Sequence, residues 1–235
     1  VALDRDEAHH LIRVRRLGIG AEAVLFDGRA TAVPARVVAI GRDRVELEIV
    51  GEPLADRIAV IPITLATAVP KGDRFDWLIE KATELGIVRL VPLIAERSVA
   101  NPRATKLDRL RQKVVEASKQ CGRNTLMELA PPVAWLELVA RAAVGVRYVA
   151  DPAGPSWGVM HPPARGEAAM LAIGPEGGFT ELEVAAAVTA GWRSVALGST
   201  ILRIETAALA GCAALLALGD YSAIAAPAAP VKRLD

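Results

Sequence analysis

Two glycine-punctuated stretches in the C-terminal third hold the residue types best suited to chemistry: LAIGPEGGFTELE at 171–183 and ALGSTILRIETAA at 196–208. Each reads as a buried strand, a glycine-rich loop and a helix start. That order predicts two backbone-lined loops side by side at the ends of adjacent strands, a cradle for a small ligand. Gly174, Gly177 and Gly178 let the backbone come close to a ligand, and Thr180 with Glu183 has the T-x-x-E spacing of a capping box. In the second stretch Gly198 precedes Ile201-Leu202-Arg203-Ile204-Glu205-Thr206, which sets a cation and an anion beside an apolar loop. Burying an ion pair for packing alone gives little net stability, so Arg203 and Glu205 are candidates for function.

Other chemistries find less support. Gly18-Ile19-Gly20-Ala21-Glu22-Ala23 fits G-x-G-x-x-A, but it follows a charged helix and enters a strand, the reverse of a dinucleotide-binding turn. No G-x-x-x-x-G-K-[ST] occurs, and a carboxylate at Glu176 repels phosphate, which excludes a P-loop nucleotide site. His9, His10 and His161 have no metal-ligand spacing with Cys or carboxylate partners, so no metal is expected. Ser118, Ser156 and Ser199 lack a G-x-S-x-G frame. Cys121 and Cys212 stand far apart without C-x-x-C and predict neither a disulfide framework nor a zinc site.

The elements that must position the loops fall into two groups. Residues 6–17 suit a short helix, and AEAVLFDG, TAVPARVVAI, RVELEIV and RIAVIPITLATAV follow as short β-patterned runs between turn signals. These predict a small antiparallel barrel over 1–68. From 69 to 235 longer helical stretches alternate with short apolar strands, the rhythm of a parallel α/β domain, ending in an Ala/Pro-rich tail at 223–230. Residues 103–123 carry seven Lys/Arg against two Asp/Glu. Leu107, Leu110, Val114, Ala117 and Cys121 recur at helical spacing and should face the core, leaving Arg109, Lys113, Glu116, Gln120 and Arg123 as an exposed stripe able to hold phosphates. A basic helix face that is merely solvated is the plainer alternative. His9, His10, Arg13, Arg15 and Arg16 repeat the basic bias near the N-terminus, and two such patches favour a polyanion partner. The chain has 235 residues, 52% of them hydrophobic and 23% charged, with a net charge of +1. No run has the roughly 18 apolar residues that a membrane span needs, and no basic-then-apolar leader opens the sequence, so a cytoplasmic protein is expected.

Together with WLIEKATELGI at 77–87 and EASKQCGR at 116–123, the two glycine loops closely resemble the bacterial 16S ribosomal RNA uridine-N3 methyltransferases, the RsmE family of the SPOUT superfamily. The match spans nearly the whole chain. It implies a PUA-like RNA-binding barrel followed by a methyltransferase domain tied in a trefoil knot, which binds S-adenosylmethionine in the knot and works as a homodimer on 16S rRNA. The family has a short strand first, whereas this chain opens directly at VALDRDEAHH.

The resemblance assigns roles to particular residues. Leu171, Ile173, Gly174, Gly178, Leu197, Gly198, Ile201 and Leu202 would line a slot for the flat, nearly neutral adenosine, with Gly177 in the same loop. Glu176 would face the sulfonium or cap its own loop. Uracil N3 is protonated at neutral pH, so its attack needs a base or a cation that stabilises the anionic ring. Arg203 would hold a uracil oxygen or the target phosphate; Glu205 would take the proton, orient Arg203 or form a structural pair with it. Lys119, Gln120 and Arg123 would contact substrate near the methyl, while His10, Arg13, Arg16, Arg109 and Lys113 would grip RNA backbone. Glu80 and Lys81 read as helix-surface partners of Glu84. Two rival readings are a SPOUT enzyme acting on another RNA position and a non-catalytic RNA-binding or ribosome-assembly factor.

Overall fold

The computed structural model describes residues 1–3, 5–9, 11–12, 16–42, 44–54, 61–99, 107–142, 145–159, 163–164 and 166–218. His10, Arg13, Arg15, His161 and the tail at 223–230 lie outside the described residues. The chain divides into two compact units, Val1–Ile58 with Ser118–Leu126, and Ala59–Ala117 with Met127–Asp235.

The first unit contains β1 (Ala2–Leu3), α1 (Arg5–His9), β2 (Glu22–Phe26), β3 (Ala32–Ile40) and β4 (Val45–Ile49). Its strands form one antiparallel sheet in the order β1-β4-β3-β2. Alternation decides which face is inside: in β4 Val45 and Leu47 are buried while Glu46 and Glu48 are exposed. Ala8, Ala35 and Val37 complete this small core, with Leu3 and Leu25 packed against it. The opening residues do form a strand, since Ala2 and Leu3 pair with Glu46 and Val45 of β4. The β2-β3 connection is an Asp-Gly turn in which Asp27 Oδ1 accepts from the N–H groups of Arg29 and Thr31, at 2.7 and 3.1 Å. Those bonds, Arg29 first, hold its carboxyl below the ordinary aspartate value.

The second unit runs β5 (Ile63–Ala68), α2 (Arg74–Glu84), β6 (Arg89–Ile94), α3 (Leu107–Cys121), β7 (Glu128–Leu129), β8 (Val133–Ala134), α4 (Trp135–Ala140), β9 (Val146–Ala150), β10 (Ala169–Ile173), α5 (Glu181–Thr189), β11 (Arg193–Val195) and α6 (Ile204–Ala217). Its sheet is parallel throughout, in the order β11-β9-β10-β5-β6-β7, with β8 also pairing β6. The boundary expected at residue 68 is therefore too late. Strand β5, read as part of the barrel, sits between β10 and β6 in the parallel sheet, because Ile63, Leu65, Ala66, Thr67 and Ala68 are all buried. A strand covered on both faces needs this continuous apolar run. Helix α3 buries Leu107, Leu110, Val114 and Ala117 as its spacing predicts, and its last turn from Ser118 is grouped with the first unit. Trp135 anchors one face of the sheet, stacked on Phe179 at 4.4 Å and edge-on to Trp192 at 5.0 Å. No helix among the described residues is long and apolar enough to cross a membrane.

Candidate active site

All strands of the second sheet run the same way, so the loops following them emerge at one edge, where open α/β sheets place their ligands. The first glycine loop, 174–180, leaves β10 and the second, 196–203, leaves β11. The two strands are not neighbours as expected: β9 lies between them. The segment after β9 stitches into the second loop. Ser156 bridges Ala196, the Ala196 N–H donates to Pro155 O at 2.9 Å, and Ser194 Oγ donates to Asp151 Oδ2 at 3.0 Å.

The first loop is fixed from both ends. Thr180 and Glu183 form the predicted capping box, with Glu183 N–H on Thr180 Oγ1 at 3.2 Å and Thr180 N–H on Glu183 Oε2 at 2.8 Å. Glu183 Oε1 also accepts from the Glu96 N–H at 2.9 Å, which ties the segment after β6 to this helix start. Beside it Arg97 Nη1 donates to Gly177 O at 2.7 Å. The glycines of the loop divide by role. A Cβ on Gly174 would meet Phe179 at 3.0 Å and one on Gly177 would meet the Arg97 stem at 3.2 Å, so these two serve the loop's own packing. Gly178 has φ +70° and no described atom within 4 Å of its Cβ position, and among the described residues Gly198 also faces open space. Glu176 is exposed.

The apolar candidates separate in the same way. Leu171 and Ile173 belong to β10 and are 0% and 3% exposed, so their side chains support the loop from the core and do not line open space. Leu197 and Leu202 are half-buried, and Ile201 stands 87% exposed. Helix α6 comes so close to β10 that a Cβ on Gly211 would lie 2.5 Å from Leu171 Cδ2 and 3.4 Å from Leu197 Cδ2. Gly211 thus links the wall of one loop to that of the other, a role its mid-helix position does not announce.

Arg203 and Glu205 do not pair. Arg203 is the N-cap residue of α6, exposed, with no ion-pair partner among the described residues. Glu205, in the first turn and 7% exposed, places Oε1 3.5 Å from Arg74 Nη1, while its buried Oε2 has no hydrogen-bond partner among the described residues. Arg74 opens α2, and 131 residues separate it from Glu205 in sequence. Only the fold brings them together. A buried carboxylate with one oxygen weakly paired and the other vacant is expensive unless a donor completes it.

This edge suits the nearly neutral adenosine of S-adenosylmethionine. Two glycines face open space among the described residues, and half-buried leucines stand in the second loop. No group of three or more His, Cys, Asp or Glu side chains stands together as a metal site among the described residues.

Residues 57–216 match the family model described as an RNA methyltransferase domain, and residues 3–50 match an RNA methyltransferase PUA domain. The chain belongs to this RNA methyltransferase family. Among its relatives, the ribosomal RNA small subunit methyltransferase E of Synechocystis is 33% identical, over 93% of this chain and 73% of that protein. The Bacillus subtilis protein of the same name is 27% identical over 89% and 87%. The Neisseria gonorrhoeae ribosomal RNA small subunit methyltransferase E, solved bound to S-adenosylmethionine, superposes with a TM-score of 0.86 at 34% identity, covering 93% of this chain and 91% of that one. The Legionella pneumophila protein Lpg2936, also solved with that cofactor, gives a TM-score of 0.84 at 30% identity over 92% and 91%. The fold is accordingly that of a PUA domain joined to an α/β methyltransferase domain, and the family's cofactor is S-adenosylmethionine.

Several basic side chains of α3 have carboxylate partners. Arg109 grips Asp76 with both nitrogens, at 2.7 and 2.8 Å, and Arg111 pairs with Asp108 at 2.8 Å. Lys113 reaches Glu116 at 3.5 Å, and Lys119 clasps both oxygens of Glu7, at 2.6 and 2.7 Å. Gln120 and Arg16 are exposed, whereas Arg123 is half-buried. His10 and Arg13 lie outside the described residues. Lys81 joins Glu80 and Glu84, each at 2.8 Å, as expected for helix-surface partners, and those two carboxylates, Glu80 first, raise the Lys81 ammonium above its ordinary value. Arg74, Arg97 and Gly211 were not legible as site residues, since each acts through a partner remote in sequence.

Proposed function

We propose that this protein transfers the methyl group of S-adenosylmethionine to N3 of a uridine in 16S ribosomal RNA. The observation that carries this reading is the junction at the start of α6, where an exposed Arg203 stands two residues from the buried Glu205, and neither the Arg203 side chain nor Glu205 Oε2 has an ion-pair or hydrogen-bond partner among the described residues. The bound cofactor supplies an electrophilic methyl on a sulfonium. The protein's part is alignment, exclusion of water and management of one proton. Gly178, Gly198, Leu197 and Leu202 hold the adenosine, with Ile201 folding over it. The planar Arg203 fork stabilises the uracil oxygen on which negative charge develops as N3 loses its proton. Glu205 Oε2 accepts that proton, and Arg74 holds the carboxylate in place through Oε1. Exposed Arg16 and Gln120, with Lys113, His10, Arg13 and Arg123, contact RNA. Arg109, paired with Asp76 but 56% exposed, and Lys119 contact RNA as well in this reading.

The same reading includes a trefoil knot in the methyltransferase domain, a homodimer, and action in the cytoplasm during ribosome biogenesis. Support comes from the family membership and from the order of the loops at one sheet edge. Calorimetric titration with S-adenosylmethionine tests the donor site. The native protein should bind one equivalent, and Gly198→Val should lose that binding while keeping its fold, because a Cβ there meets no atom of the described residues within 4 Å. Undiminished affinity in folded Gly198→Val would remove the second loop from the donor site.

A further inference from the structure

A second cavity of about 360 Å³ opens on the methyltransferase unit away from the glycine loops. Strand register locates it. Arg147, Met170, Thr64 and Arg89 form one row across β9, β10, β5 and β6, so their side chains share a sheet face. Arg89 is the first residue of its strand, while Arg147 and Met170 are each second in theirs, which puts the row at the start of the strands. The glycine loops leave the opposite ends.

Three arginines line this cavity, Arg89, Arg141 and Arg147. Arg89 pairs with Glu128 at 3.2 Å and Arg141 with Glu137 one helical turn back. Arg147 has no carboxylate within ion-pair distance among the described residues. Its nitrogens donate to the carbonyls of Arg141 and Ala190, and its guanidinium carbon lies 5.3 Å from the Trp192 ring centre. Arg147 is thus a half-buried cation beside the cavity whose described partners are all neutral. Val91, Met170, Leu138 and Pro131 supply an apolar wall to the same space. Its size falls within the range of small-ligand sites.

We propose that this cavity binds one nucleoside monophosphate unit, its phosphate against Arg147 and Arg141 and its base against the apolar wall. Guanidinium forks match phosphate oxygens in geometry and charge, and the mixed lining fits a flat ring attached to an anion. The unit is either a free nucleotide or one nucleotide of an RNA strand.

The test is calorimetric titration of the full chain with uridine monophosphate, with S-adenosylhomocysteine present in saturating excess to block the donor site. The nucleotide should bind with one-to-one stoichiometry and a Kd below about 1 mM. Uridine alone and inorganic phosphate alone should each bind about tenfold more weakly or worse, and R141Q and R147Q should each weaken the nucleotide about tenfold. R141Q changes an exposed side chain and decides the question if R147Q does not fold. A single-stranded RNA decamer identifies the source: weaker RNA binding in R141Q, with nucleotide competition, assigns the site to RNA, and unchanged RNA binding assigns it to a free nucleotide. Either result upholds the cavity as a nucleotide site. No binding of the nucleotide by the native chain, or equal binding by folded R141Q, overturns it.

Discussion

Arg203 and Glu205 are two residues apart yet occupy opposite environments, one exposed at a helix cap and the other buried against Arg74. That contrast divides their tasks. Arg203→Ala should slow single-turnover methyl transfer about a hundredfold at saturating donor and RNA, while donor affinity stays within about threefold. Arg203→Lys should recover little, because a point charge does not reproduce a planar fork. A wild-type rate in Arg203→Ala would place this residue outside the chemistry. The two thiols provide an independent check on burial. Burial pushes the Cys212 thiol up to about 12, so it stays protonated and shielded at pH 8, whereas Cys121 is only partly covered. Ellman's reagent should therefore modify one thiol per native chain and two after denaturation. Rapid reaction of both thiols in the native protein would contradict the packing of α6.

At the scale of elements, the site depends on how closely α6 lies against β10. Gly211 is where they touch, and Gly211→Val should destabilise the protein by about 1–3 kcal/mol through overpacking against Leu171, read as a lowered urea midpoint. An unchanged midpoint would mean that the helix can shift without cost. Glu183 clamps the other loop, accepting from the N–H groups of Thr180 and Glu96. Glu183→Ala should cost about 1–3 kcal/mol, because it removes half of the capping box and leaves two partly buried donors unmet. Glu183→Gln keeps one acceptor oxygen and should cost less; equal losses in the two variants would argue against the clamp. The capping box was readable because T-x-x-E is a local pattern. The second bond to Glu96 was not, since 87 residues separate the two.

Across the whole molecule, the order of β-rich and α/β segments and both glycine loops could be read from hydrophobic rhythm and turn residues, which are local properties. The misplacement of β5 has a physical cause. A short run such as Ile63-Thr64-Leu65-Ala66-Thr67-Ala68 reads the same whether it closes a barrel or lies central in a parallel sheet, and only its partners β10 and β6 settle the matter. Chain order suggests adjacent strands for the two loops, whereas the sheet inserts β9 between β10 and β11. The carboxylate partners of Arg109 and Lys119 are not legible for a related reason, since Asp76 and Glu7 come from distant parts of the sequence. The resemblance reached the donor-binding family directly, but the Arg74–Glu205 contact could emerge only from the fold. The most direct measurement of the central claim is to incubate the protein with S-adenosylmethionine carrying a labelled methyl and with small ribosomal subunits from cells lacking this activity, then to digest the RNA and identify the labelled nucleoside by mass spectrometry. The account predicts label in N3-methyluridine from one position of 16S rRNA; label in another nucleoside, or none in RNA, would contradict it.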